Sequence, residues 1–486
     1  MLVTLLLALT AAAPCESLQS LTLPETTILS ATLVPDGSFT PPTAGPTTKP
    51  LRMPAACRVV GRLPPAVNFE VWMPAAGWNG KFQAVGGGGF AGVISYGAIA
   101  TALNRGYATA STDTGHATPG GSWALGHPEL VIDFGYRAIH EMTLKAKAIV
   151  EAFYGSGPRY SYFVGCSTGG RQGLMEAQRF PNDYDGIVAG APANYWTRMP
   201  AGNLFMAAAT LKDEATRLPA AKLAALNKVA IAACDARDGV ADGLIENPQQ
   251  CAVDPGTLQC TGEETEACLT AAQVGAARAI YGPAVNRRTK EEIFPGMPPG
   301  SELTWGALAG GPQPFPIAVD FYKYFVFANP DWDWTTMDFD KDVAAGEAKV
   351  GKVMNAVDPD LRAFKSRGGK LILYHGWNDQ LITAFNTINY YTSVSKSLGP
   401  AETDDFVRLF MAPGMLHCAG GPGPNTFDAV GALEQWVEHG NKPSELIASH
   451  ATEGVVDRTR PLCPYPQVAT YSGSGSIDAA ASFVCK

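Results

Sequence analysis

Apolar positions along this chain follow two rhythms that alternate over much of its length. Short apolar runs bounded by Gly, Pro or Asp recur at Phe69–Met73, Lys81–Val85, Ala108–Asp113, Tyr160–Val164, Asp185–Gly190, Gly369–Trp377 and Val407–Met411. Runs of that length read as strands, the later ones as strands buried on both faces. Between them the spacing lengthens to the helical period. Ile94–Arg105, Asp133–Tyr154, the stretch holding Leu174, Met175 and Ala177, Thr383–Leu398 and Thr426–Glu438 read as helices. Gly155 and Pro181 stop two of them. Phe427, Val430, Leu433 and Val437 fall on one face of the last. Strands alternating with helices predict an α/β fold with a mainly parallel sheet and helices on both faces.

The alternation breaks twice. Ser17 to Ala56 is rich in Thr and Pro and reads as an extended lead-in with edge strands. From about Tyr195 to about Pro359, Ala-rich helical pieces, four cysteines and Gly/Pro stretches replace it. The predicted organisation is therefore a signal peptide and the start of the lead-in over residues 1–16, then core, first part, over 17–194. An inserted lid follows over 195–359, and the second part of the core over 360–486. A chain of 486 residues has room for two or three domains.

Composition narrows the class. The chain is 46% apolar and 17% charged, which is globular. A formal charge of −9 and the lack of any basic cluster argue against nucleic acid or an anionic membrane as partner. MLVTLLLALTAAA, Met1 to about Ala13, reads as a signal peptide and is too short to span a bilayer. The ten cysteines form an even set without a C-x-x-C, which disfavours a zinc ribbon. With export, they predict five disulfides and a secreted or periplasmic location.

The chemistry centres on Gly165-Cys166-Ser167-Thr168-Gly169. It lies between a strand and a helix, the context of a nucleophile elbow. Small residues two positions to either side allow the tight turn, and the Thr168 N–H would face a developing oxyanion. Gly86-Gly87-Gly88-Gly89 directly follows a strand and reads as a second oxyanion loop; no G-K-[ST] follows it, so a phosphate loop fits poorly. In an α/β-hydrolase the acid and then the histidine follow the serine, each after a strand. Asp379 and His417 have that order and placement. Of seven histidines only His417 does; His375 lies on the strand before the acid and reads as a supporting group, and His116 and His127 as residues of polar loops. Cys166 precedes the serine and Cys418 follows the histidine, so a bond between them would tether the two loops. Sequence alone leaves the ten cysteines many other pairings.

Several motifs together resemble the tannase and feruloyl esterase family, which includes mono(2-hydroxyethyl) terephthalate hydrolase. They are Gly165–Arg171, Tyr374-His375-Gly376-Trp377-Asn378-Asp379, His417-Cys418, Gly86–Gly89 and Ser111-Thr112-Asp113-Thr114-Gly115-His116. The resemblance implies an α/β-hydrolase core with a lid, and Ser167, Asp379 and His417 as the triad. It implies oxyanion N–H groups from Thr168 and from the glycine loop, Gly88 being the glycine taken for the role. It implies the pairs Cys166–Cys418, Cys15–Cys57, Cys234–Cys251, Cys260–Cys268 and Cys463–Cys485. Thr168 stands where the terephthalate-ester enzyme carries Glu; the donor is backbone, so Thr can serve.

Within the insertion, Asp235-Ala236-Arg237-Asp238-Gly239-Val240-Ala241-Asp242-Gly243-Leu244 gathers hard oxygen ligands without the register of an EF-hand. It resembles the family's lid calcium site. That match would use the carboxylates of Asp235, Asp238 and Asp242 and the carbonyls of Val240 and Leu244. Phe315–Trp334 is dense in aromatics and reads chiefly as lid core, with any residue facing Ser167 as a wall for an aromatic acyl group. These observations predict a secreted serine ester hydrolase with structural Ca2+ and no organic cofactor. Its substrates would be aromatic acid esters, feruloyl (hydroxycinnamoyl) first, free or carried on plant polysaccharide or polyphenol. Galloyl esters, terephthalate monoesters and a non-catalytic aromatic-ligand binding protein are the alternatives.

Overall fold

The computed structural model describes residues 12–43, 45 and 49–486. The expected signal peptide falls outside the described residues, save for Ala12 and Ala13. The central sheet has nine strands: β1 (Thr27–Val34), β2 (Ala56–Leu63), β3 (Val67–Pro74), β4 (Lys81–Val85), β5 (Ala108–Thr112), β6 (Tyr160–Cys166), β7 (Gly186–Gly190), β8 (Lys370–Gly376) and β9 (Val407–Ala412). Their order is β1-β2-β3-β5-β4-β6-β7-β8-β9. The six from β5 to β9 run parallel. The first three form an antiparallel extension at one edge.

Burial follows position. β5 and β7 are buried at every residue, as central strands covered on both faces must be. β1, at the open edge, keeps only Ile28 and Ala31 buried, so the lead-in does supply an edge strand. The helices of nine residues or more are α1 (Tyr96–Asn104), α2 (Ala138–Tyr154), α3 (Thr168–Arg179), α4 (Met199–Leu211), α5 (Ala220–Cys234), α6 (Ala271–Tyr281), α7 (Ala384–Leu398) and α8 (Ala429–His439), of which α4, α5 and α6 lie between β7 and β8. α2 buries Ile139, Met142, Ala146, Ile149, Val150 and Phe153, one stripe at helical spacing. Each large side chain of that stripe contributes about 1.5–3 kcal/mol on leaving water. Gly155, at φ 75°, ends the helix in a left-handed cap.

Two boundaries differ from expectation. Asp133–Arg137 is a π-helical turn leading into α2 rather than its first α-turn. α8 starts at Ala429, because Thr426 pairs with Ser449 and the Asp428 carboxylate caps Gly431 N–H at 2.9 Å. Phe427 therefore lies outside the helix, edge-on to Tyr374. The C-terminal tail folds into a hairpin, Leu446–Thr452 with Val455–Leu462, and a short pair, Ala469–Tyr471 with Phe483–Cys485.

Between β7 and β8 no strand joins the central sheet. Part of this segment closes on itself, with Leu226, Leu269, Ala277, Ile280 and Trp305 in one cluster. The rest packs on the core: Phe90, Trp123 and Phe134 meet Trp196, Phe321 and Phe325 in a second cluster. Phe90 stacks on Phe325 at 5.4 Å. All ten cysteines are paired, as Cys15–Cys57, Cys166–Cys418, Cys234–Cys251, Cys260–Cys268 and Cys463–Cys485. Among the described residues no helix is long and apolar enough to cross a membrane.

Candidate active site

Ser167 sits between β6 and α3 at φ 62° and ψ −122°, a conformation that costs a non-glycine residue about 1–3 kcal/mol. Three backbone hydrogen bonds hold it there. Ser167 N–H donates to the Gly190 carbonyl at 2.9 Å, and its own carbonyl accepts from Arg171 and Ala193, each at 3.0 Å. The turn is too tight for a side chain at Gly165, where a Cβ would stand 2.5 Å from the Gly169 backbone.

His417 and Asp379 arrive from the loops after β9 and β8. Nδ1 of His417 lies 2.7 Å from Oδ2 of Asp379. The proton on that nitrogen leaves Nε2 with a lone pair. Oδ1 of Asp379 accepts the N–H groups of Leu381 and Ile382 at 2.8 and 2.9 Å. His375, fully buried, brings Nε2 to 3.0 Å from Oδ2 of Asp379 and 2.9 Å from the Ile382 carbonyl. Two acceptors facing Nε2 assign the proton to it, and Nδ1 then accepts from Thr387 Oγ1 at 2.7 Å. Burial pushes the Asp379 pKa up; hydrogen bonds from His375 and His417 outweigh it and hold the carboxyl below its ordinary range. His375 thus supports the acid, as its place on the strand predicts.

Ser167 and His417 line one cavity of about 270 Å³. The glycine loop and Thr168 also line it, and Trp196, Met199, Asn203, Phe315 and Ile317 are among the residues that the insertion contributes. Of the aromatics between Phe315 and Trp334, only Phe315 reaches it; the others pack in the cluster joining insertion to core. The Cys166–Cys418 bond holds the two loops at a Cα–Cα distance of 5.9 Å.

The glycine loop is fixed against the elbow helix. Gly86 N–H donates to Val164 O at 2.9 Å, and Gly87 N–H to Gln172 Oε1 at 3.0 Å. Thr168 Oγ1 donates to the Gly89 carbonyl at 2.5 Å. The amides of Gly88 and Gly89 are the ones in this loop not drawn into an internal hydrogen bond, and Thr168 N–H, first in its helix, has no acceptor within the helix.

His116 corrects the sequence reading. It lies in a loop, as read, but it is buried there: Nε2 lies 2.6 Å from the Phe90 carbonyl and the ring stacks on Trp123 at 3.9 Å. Burial pushes its pKa down to about 4, so it is neutral and donates to Phe90. It ties the Ser111–His116 motif to the glycine loop. His127 is exposed, as expected.

Arg171 explains why the elbow motif extends past its glycines. Fully buried, it donates to the carbonyls of Gly135 and Phe134 at 2.8 and 2.9 Å and lies over Phe134 and Trp196. It thereby joins the elbow helix, the π-turn and the insertion. Behind the elbow helix, His140, Glu176 and Asp183 converge within 4.8 Å, with Nδ1 of His140 2.6 Å from Asp183. Burial, then the charge of Asp183, push the Glu176 pKa well up. Arg171, Gln172, Glu176 and Asn203 were missed as site or support residues. For the three on the elbow helix the available signal was polar side chains inside a helix otherwise expected to be buried.

In the insertion, Asp235 accepts the N–H groups of Asp242 and Gly243 at 3.1 and 3.0 Å, which turns the loop on itself. Asp235, Asp238 and the Asp242 side chain are buried; Asp242 pairs with Arg460, and Arg458 lies 3.5 Å away. Among the described residues His140, Glu176 and Asp183 are the trio whose ligand atoms meet within 4.8 Å, and the three aspartates do not form one. A Ca2+ ion takes hard oxygen ligands at about 2.3–2.6 Å. The donors are all hard oxygen, and the Cys234–Cys251 bond closes the loop's ends. The residues present therefore fit such an ion.

The chain matches the family model for tannase and feruloyl esterase over residues 51–486. It is 41% identical to an uncharacterized esterase of Xanthomonas campestris pv. campestris, covering 99% of this chain and 92% of that relative. It is 34% identical to a probable feruloyl esterase B-2 of Neosartorya fischeri, covering 86% and 83%. The crystal structure of feruloyl esterase B from Aspergillus oryzae superposes with a TM-score of 0.92 at 31% identity, over 97% of this chain and 99% of that one. The tannin acyl hydrolase of Aspergillus niger shares the fold, with a TM-score of 0.78 at 22% identity, over 98% and 93%. A parallel α/β sheet of this kind, with these relatives, defines a carboxylic ester hydrolase of α/β-hydrolase fold. The chain belongs to the tannase and feruloyl esterase family.

Proposed function

We propose that this protein is a secreted serine esterase for aromatic carboxylic acid esters, feruloyl and other hydroxycinnamoyl esters foremost, free or carried on plant polysaccharide or polyphenol. The observation that carries this is the shared cavity. Ser167 and His417 open onto one pocket whose walls, Phe315, Trp196, Met199 and Ile317 among them, are apolar and include two aromatic rings. The disulfides fit an oxidising compartment.

Ser167 Oγ attacks the ester carbonyl carbon while its proton passes to Nε2 of His417. The tetrahedral oxyanion is met by the N–H groups of Thr168 and Gly88, which are held before the substrate arrives. Collapse breaks the C–O bond to the alcohol, which leaves with the proton from His417. Water then attacks the acyl-serine by the same route and releases the acid. Asp379, kept ionised, fixes the proton on Nδ1 and stabilises the imidazolium. The inserted segment acts as a lid over the acyl group. Its Asp235–Leu244 loop holds a structural Ca2+, with Asp235, Asp238, Asp242 and the carbonyls of Val240 and Leu244 as ligands. The ion supplies rigidity and takes no part in the reaction.

A panel of methyl ferulate, methyl gallate, chlorogenate and mono(2-hydroxyethyl) terephthalate tests the substrate reading. Methyl ferulate should give the highest kcat/KM. Faster turnover of short aliphatic esters than of all four contradicts the aromatic acyl site.

A further inference from the structure

Asn203 is out of place in the wall of this cavity. Its residue surface is 2% exposed, and neither Oδ1 nor Nδ2 has a hydrogen-bond partner. Buried amides left wholly unpaired are rare in folded proteins because each unmet group carries a desolvation penalty. Asn also has a weak preference for helix interiors, and Asn203 stands in the second turn of α4. Met199, one turn earlier, lines the same cavity with an ordinary apolar side chain. An apolar residue at 203 would fold at least as well. Trp196, 1% exposed, also lines this cavity and leaves its indole Nε1–H unpaired. Two unpaired polar groups on residues that line one largely apolar cavity suit a partly polar ligand.

We propose that Asn203 recognises a hydroxyl group on the aromatic ring of the acyl moiety, and so sets specificity for phenolic acids. This rests on the aromatic-acyl reading above. Oδ1 accepts from the phenol O–H, and Nδ2 donates to the phenol oxygen or to an adjacent methoxy oxygen. Trp196 Nε1–H is a second donor to the same edge of the ring. The amide is neutral, and none of the residues lining the cavity is Arg or Lys. A ring bearing a carboxylate in place of the hydroxyl would bury that charge without a counter-charge. The cavity therefore selects phenolic acyl groups over terephthalate monoesters.

The test is kcat/KM for methyl 4-hydroxycinnamate against methyl cinnamate, in wild-type protein and in Asn203→Leu, which keeps the number of side-chain heavy atoms and the branch at Cγ. Wild type should favour the hydroxylated ester by at least about tenfold, because the unsubstituted ring leaves the amide unpaired. In Asn203→Leu that ratio should fall about tenfold or more. If the ratio is the same in both proteins, or wild type shows no preference, Asn203 has no such role, while the aromatic-acyl reading stands. If neither ester is hydrolysed but p-nitrophenyl acetate is, the aromatic-acyl reading fails first and takes this proposal with it. Inhibition of wild type by 4-hydroxycinnamamide against cinnamamide makes the comparison without a variant, should the Leu protein not fold. Equal inhibition by the two amides counts against the proposal, and tighter inhibition by the hydroxylated one supports it.

Discussion

Cys166 is bonded to Cys418 across 252 positions of sequence, and each of the two is the immediate neighbour of a residue in the site. One neighbour is Ser167, held at φ 62°; Cys418 itself sits at φ 66°. The bridge thus spans two strained backbone positions, where small displacements change the direction of a side chain. In the chain-entropy model a loop of this length is worth roughly 5 kcal/mol. We expect it also to act by position, holding the two loops in register. Non-reducing peptide maps should recover the two cysteines cross-linked. Replacing both by Ala should lower kcat by about tenfold to a hundredfold when assayed well below the melting temperature. Loss of activity only in proportion to unfolded protein would show the bridge to be a staple and no more.

Glu176 gives a pH prediction. Burial, then the charge of Asp183, raise its pKa well above the ordinary value of about 4.3. A carboxyl raised in the folded state contributes stability below its unfolded pKa and loses that contribution as pH rises through the folded one. Glu176→Gln stays neutral at every pH. Its melting temperature relative to wild type should therefore increase steadily as pH is raised above about 4.3. Melts at a series of pH values check this, and a difference that does not change with pH contradicts it.

The Asp235–Leu244 loop predicts an effect of calcium on stability rather than on chemistry. Ca2+ bound to the native state alone adds RT ln(1 + [L]/Kd), about 2.7 kcal/mol at a hundredfold excess over Kd. EDTA should lower the melting temperature, Asp238→Ala should do so without chelator, and elemental analysis should find one calcium per chain. Identical melts with and without EDTA, and no bound calcium, would leave the loop an acidic turn pinned by Arg460.

Much of this architecture was legible in the chain. Central strands such as β7 read clearly because all five residues are buried, and the elbow because only small residues fit around Ser167. That Asp379 and His417 meet was legible from their order, each in the loop after a strand. What escaped was decided by tertiary contact. Thr426 left the helix for a bridge with Ser449, and His116, in a stretch that reads as polar, was buried by Trp123 and Phe90. Nothing local marks Phe315 among its aromatic neighbours as the one that reaches the cavity. The same holds for Asn203, whose oddity lies in its unmet hydrogen bonds.

The central claim is that Ser167 is the nucleophile. Wild type and Ser167→Ala, each treated with a fluorophosphonate and assayed on methyl ferulate, test it most directly. Wild type should lose activity as it gains one phosphonate, located by mass spectrometry on the peptide carrying Ser167. Ser167→Ala should melt like wild type, take up no phosphonate and retain less than about one part in ten thousand of kcat. A variant that kept a tenth of the activity, or a wild-type adduct on another residue, would contradict the account.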